Sequence, residues 1–205
     1  MDYTEIVNLA LSYSDREDAE VEERMDDFLK IVEARINRKL QVQRMSVRTL
    51  ITTKIGQEYY GLPVDFGGLR DIEIRPVDSE SGGRSTLKYM SPEQMNSYSG
   101  SNGTNIYYTI IANQIQIMGP QDNMILEIVY YKYLTKLSLA TPENWASIYN
   151  PDLYTFGLLV EISSFAKDAV AKELWDARFK EALAEIKDDD QDTRWSGTAL
   201  EIRIG

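Results

Sequence analysis

Asp188, Asp189, Asp190 and Asp192 crowd one short stretch, and such a density of carboxylates invites divalent-cation chemistry. Counted from Asp188 as the start of an EF-hand loop, acids fall at the first, third and fifth positions. Thr193, however, stands where that loop needs glycine, and Ala199 where its bidentate glutamate belongs. The run therefore reads as a solvated helix end just past Ile186. Paired carboxylates could also serve glycoside hydrolysis, which needs two acids and no histidine, but no spacing singles out a pair among the 33 acids. Tyr59 with Tyr60, Tyr107 with Tyr108, and the tyrosines of 130–133 offer rings that a carbohydrate-binding module would use. At strand positions such rings more often pack a sheet or an interface. Gly67 with Gly68 and Gly82 with Gly83 lack the strand, lysine and helix context of a phosphate loop.

The chain holds no cysteine and no histidine. That removes disulfides, Cys and His zinc sites, thiolate nucleophiles and every triad with imidazole as base. No catalytic, cofactor-binding or metal-ligating residue is assigned, and no enzyme activity is expected. With 22 basic and 33 acidic residues the formal charge is −11, which argues against a protein that grips nucleic acid by neutralising phosphates. Such a surface repels DNA, which suits a channel that lets DNA slide, while acidity that simply keeps the chain soluble is the more common case. No apolar run reaches the roughly 18–20 residues of a membrane span, and the start MDYTEIVNL lacks signal-peptide regions. A soluble chain, cytoplasmic when made, is expected.

The elements that must position these residues begin with a short helix capped by Thr4, with Ile6, Leu9, Ala10 and Tyr13 on one face. A second helix carries one apolar stripe through Val21, Met25, Phe28, Leu29, Val32, Ile36 and Leu40. Acids crowd its start, and Arg35, Arg38, Lys39 and Arg44 its end, as the helix dipole favours. From about Ser46 the period becomes strand-like. Ile72 and Ile74 alternate with charged residues, and Ser91-Pro92-Glu93-Gln94 is a capping signature for a short helix. Two strands flank a tight turn at Ala112 and Asn113. Met124 to Tyr133 reads as a strand apolar on both faces, hence central or covered. Asn150 and Pro151 open a helix with Leu153, Phe156, Leu159, Val160, Ser163 and Ala166 on one face, and Asp168 caps a last helix with Trp175, Phe179, Ala182, Leu183 and Ile186.

The expected class is α+β: a helical bundle formed by N- and C-terminal helices, an inserted small antiparallel β region, and an extended C-terminal tail. The boundaries are 1–45 for the first helices, 46–136 for the β region, 137–195 for the last helices, and 196–205 for the arm. In that arm Leu200, Ile202 and Ile204 alternate with Glu201 and Arg203. The pattern suits pairing with an exposed strand edge elsewhere, and equally an edge strand at home or a frayed terminus.

The order of blocks from Tyr107 onward resembles the head-to-tail adaptor (connector) proteins of tailed bacteriophages. The carriers are Tyr130-Tyr131, Asn144-Trp145, and Pro151-Asp152-Leu153-Tyr154 with Gly157 one turn on. Lys167-Asp168, Trp175 with Phe179, and Ser196-Gly197 follow. Pro-Asp-Leu-Tyr alone marks only a helix start, whereas the ordered set is specific. One departure is the weakly acidic break after Asp168, where Ala169, Val170 and Ala171 follow.

The resemblance implies a structural virion protein at the head–tail interface, assembled in the host cytoplasm. It implies a ring, commonly of twelve copies, docked on the portal protein, extending the DNA channel and offering an attachment surface to a downstream tail or nozzle protein. Contact with passing double-stranded DNA would be transient and non-specific, with no membrane involved. The portal-binding arm would comprise Trp195, Ser196, Gly197, Leu200, Ile202, Arg203 and Ile204. A tail-completion or terminator ring is the alternative within the class. A carbohydrate-binding or carboxylate-based hydrolytic module is the alternative outside it.

Overall fold

The computed structural model describes residues 1–16, 18–78, 83–97, 106–119 and 123–195, Trp195 by its backbone only. The chain forms two compact units, Met1–Arg44 with Leu134–Gly205, and Met45–Tyr133.

In the first unit α1 spans Tyr3–Ser14. It starts at Asp2 rather than Thr4: the Asp2 carboxylate accepts the Glu5 N–H at 2.8 Å and the Glu5 carboxylate accepts the Asp2 N–H at 3.0 Å, a reciprocal capping box. The expected single second helix is two, α2 (Ala19–Glu23) and α3 (Met25–Lys39), broken at Arg24. The apolar stripe survives that break, because Val21, Met25, Phe28, Leu29, Val32, Ile36 and Leu40 are all buried. Asp26 and Asp27 in the first turn of α3, and Arg38 and Lys39 in its last, complement its dipole.

A short helix, α4 (Pro92–Ser97), belongs to the second unit, where Ser91 and Gln94 make the expected reciprocal cap. Back in the first unit stand α5 (Trp145–Tyr149), α6 (Pro151–Phe165) and α7 (Ala169–Trp195). Pro151 occupies the first turn of α6, where its missing N–H costs nothing. The Asp168 carboxylate accepts the N–H groups of Val170 and Ala171 at the start of α7. α6 buries far more than the one face expected, including Leu153, Tyr154, Leu158, Leu159 and Ile162. It packs against α1, α3, α5 and α7 at once, so it has no solvent face of its own.

The second unit holds eight strands in two sheets. β1 (Ser46–Thr52), β8 (Met124–Lys132), β3 (Phe66–Pro76) and β4 (Ser85–Thr86) form one in that order, all antiparallel. β2 (Tyr59–Gly61), β7 (Gln114–Met118), β6 (Tyr107–Ile111) and β5 (Lys88–Tyr89) form the other, with β5 and β6 parallel. The turn joining β6 to β7 sets Ala112 at φ 53°, as a two-residue hairpin requires. Inward residues of both sheets share one core, with Ile72, Ile74, Leu126 and Ile128 from the first and Tyr60, Ile115 and Ile117 from the second. β8 lies between β1 and β3, the central position its two apolar faces predict.

The α+β class holds, but the expected architecture does not. Among the described residues there are seven α-helices and two four-stranded sheets, rather than a simple terminal bundle with one small antiparallel insertion. Strands of two or three residues, such as β2, β4 and β5, are too short to show a period. The parallel β5–β6 pair joins segments separated by a helix. The extended tail of that expectation, residues 196–205, lies outside the described residues.

Candidate functional site

Of the residues that carry the resemblance, Asn144, Leu153, Tyr154, Gly157 and Phe179 converge on the interior of the helical unit. Asn144 caps α5: its Oδ1 accepts the Ser147 N–H at 2.9 Å, and the Ser147 hydroxyl accepts the Asn144 N–H at 3.0 Å. The Asn144 amide also donates to the Thr135 carbonyl at 2.8 Å and to the Tyr154 hydroxyl at 2.7 Å. Tyr154, fully buried in α6, donates in turn to Glu33 of α3 across 3.5 Å. Glu33 also accepts the Leu137 N–H at 2.7 Å, and Asn37 accepts that of Leu134 at 2.9 Å. One α3 face thus latches the chain entering from the sheet unit, and Asn144 ties that segment to α6. Burial pushes the Glu33 carboxyl above its ordinary range, with the Leu137 N–H pulling against it. Burial likewise raises the Tyr154 phenol.

Gly157 sits where α6 meets α3 and α7. A Cβ there would stand 2.5 Å from Val32 and 3.2 Å from Phe179, so only glycine allows this approach. Leu153 and Phe179 are core residues. The Arg35 guanidinium lies 4.6 Å over the Phe179 ring and pairs with both Glu161 and Asp176. Trp175 is half-buried, stacked between Phe156 (5.9 Å) and Tyr13 (6.5 Å). These residues are structural keys of the helical unit, each spent on packing or an internal hydrogen bond.

Grooves run along both flanks of α7. Trp145 and Asp152 line a cleft of about 480 Å³ with Arg44, Glu185, Asp189 and Asp190. The acidic run is therefore not past a helix end: α7 continues through it to Trp195, and Asp190 accepts the Gln43 N–H at 2.6 Å and pairs with Arg194 at 2.8 Å. Among the described residues no group of three or more acidic side chains is arranged to hold a metal ion. The second groove, of about 450 Å³, lies between α3 and α7 and is lined by Arg35, Arg38, Lys39, Lys180 and Lys187 over Phe179 and Leu183.

In the sheet unit, Tyr60 and Tyr130 are buried. The Tyr60 hydroxyl donates to the Gln57 carbonyl and accepts the Lys54 N–H, both at 2.9 Å. The Tyr130 hydroxyl donates to Asp65, and burial with that bond pushes it up to about 12. Neither ring is free to stack on a sugar. Sequence reasoning missed the arginine cluster around Glu127. That carboxylate, on the second face of β8, accepts two hydrogen bonds from Arg48 and lies within 3.9 Å of Arg75 and 3.6 Å of Arg84. The Arg48 bonds, with the other cations, hold it below the usual range. The cluster could have been found only from strand register, since its members lie far apart in sequence. Of the arm, Trp195 ends α7, while Ser196, Gly197, Leu200, Ile202, Arg203 and Ile204 lie outside the described residues.

The model of the SU10 adaptor protein family matches residues 1–203. The chain belongs to the SU10 adaptor family. This agrees with the likeness to phage head-to-tail adaptors carried by Asn144-Trp145 and Pro151 to Tyr154, and the match extends it over the N-terminal helices. No curated protein matches the chain. As an SU10 adaptor it is a bacteriophage structural protein and a virion component. No helix among the described residues is long and apolar enough to cross a membrane.

Proposed function

We propose that this SU10 adaptor is the subunit of a ring, of about twelve copies, that docks on the portal protein, extends the DNA channel and presents a surface to the next tail or nozzle component. The observation that carries the reading is the family match over residues 1–203, which takes in both compact units and most of the segment beyond Trp195. The net charge of −11 supports a channel that DNA passes without being held. Twelve copies would gather roughly −130 in one ring, a field that salt and basic partner surfaces must screen. The alternation of Leu200, Ile202 and Ile204 with Glu201 and Arg203 supports an arm, from Trp195 to Ile204, that adds a strand to the portal. Assembly takes place in the host cytoplasm, and contact with the genome is transient and non-specific.

Cryo-electron microscopy of the protein mixed with the portal of the same genome tests this. The expected image is a ring capping the narrow end of the portal, with the arm threaded into it. Free monomers beside bare portals would refute the reading.

A further inference from the structure

The flanks of α7 are charged oppositely. Phe179, Ala182, Leu183 and Ile186 form its buried stripe. To one side, Lys180 and Lys187 face Arg35, Arg38 and Lys39 of α3 across a groove whose lining holds no carboxylate. To the other, Glu185, Asp189 and Asp190 face Asp152 across a cleft in which Arg44 is the one cation of the lining. At 3.6 residues per turn Lys180 and Lys187 point roughly 170° away from Glu185 and Asp189. Within the basic groove, Arg35 is spent on Glu161 and Asp176, and Lys180 on Asp176. Arg38, Lys39 and Lys187 are exposed and, among the described residues, have no carboxylate at ion-pair distance. In a chain of −11 these are charges looking for a partner.

We infer that the basic groove of one copy receives the acidic flank of a second copy, Glu185 and Asp189 seating against Arg38, Lys39 and Lys187. The inference rests on the ring reading and names the surfaces that would close it. Two complementary surfaces on one chain, pointing in different directions, cannot satisfy each other within a symmetric pair. They make a head-to-tail contact, which closes into a ring when the rotation per copy divides the circle. The charges set direction and register more than affinity, and salt weakens the contact. Duplex DNA is the competing occupant of a basic groove. Three unpaired cations on so acidic a chain release few counterions, whereas binding by phosphate neutralisation grows with their number.

The test is sedimentation of the full chain, alone and with the portal of the same genome, from low to high salt. One variant carries Arg38→Glu and Lys187→Glu, the other Glu185→Lys and Asp189→Lys. All four positions are exposed, and thermal melting checks that both variants fold. Each variant alone should associate with itself at least about tenfold more weakly than the wild type. An equimolar mixture should regain association, because each reversed surface then meets its complement on the other variant. Wild-type rings that both variants form equally well would overturn the inference and leave the ring reading standing. A wild type that never assembles, with or without portal, would overturn both. Duplex retention lost in the first variant, with self-association intact, would reassign the groove to DNA.

Discussion

The backbone of α6 at Gly157 runs so close to Val32 of α3 that a β-carbon on it would lie 2.5 Å from Val32 Cγ1. Gly157→Ala therefore sets a helix-propensity gain of under about 1 kcal/mol against an overpacked contact costing about 1 to 3 kcal/mol. The variant should melt below the wild type. Equal or higher stability in urea titration would mean that the two helices yield without cost.

Phe179 and Trp175 separate core from half-buried packing. Phe179→Ala removes a ring that is 1 % exposed and should cost about 3 to 5 kcal/mol. Trp175→Ala should cost less, because its ring keeps one side towards solvent and stacks on Phe156 and Tyr13. Denaturant unfolding of the two variants gives the order directly. A larger loss for Trp175 would contradict the burial described.

Two carboxylates should impose opposite slopes on stability against pH. Glu33 is raised in the folded state, so its contribution is fully present below the ordinary glutamate range and lost as pH rises through its folded value. Glu33→Gln keeps an acceptor for the Leu137 N–H and removes that loss. It should be at least as stable as the wild type at neutral pH, with the difference shrinking on acidification.

Glu127 is lowered, so its contribution is present above the ordinary glutamate range and lost as pH falls through its folded value. Glu127→Gln should destabilise the sheet unit at neutral pH, leaving Arg48, Arg75 and Arg84 without their shared anion, and should match the wild type at low pH. Melting curves across the acid range distinguish the two residues. Parallel curves for either variant and the wild type would refute its assignment.

Removal of residues 196–205 should leave both units folded, with an unchanged melting temperature, and weaken attachment to the portal. Co-sedimentation with portal reads the second effect. A truncated chain that docks as well as the full one would show that the arm is not the portal contact.

The sequence made some of this visible and hid the rest for physical reasons. The stripe from Val21 to Leu40 and the alternation of β8 are dense apolar patterns, and both lie where their periods place them. The Pro151 start of α6 and the Asp168 cap of α7 are local chemistry and equally legible. Glu33 escaped notice because a glutamate on a helix reads as solvent-facing until Leu137 and Tyr154 arrive from distant segments. The break at Arg24 left no mark, since the stripe continues across it in phase. Of the second sheet the β6–β7 hairpin was legible, whereas β2 and β5, shorter than one full alternation, were not.

α7 is a rod of about 40 Å, held in its first half by Trp175 stacked on Phe156 and again near its end, where Asp190 accepts the Gln43 N–H. A rod pinned at one end is a lever: a tilt of about 5° would swing the far tip by about 3 Å over that length. The second pin removes this play. The far part of α7 is accordingly held in register with the segment that leaves α3.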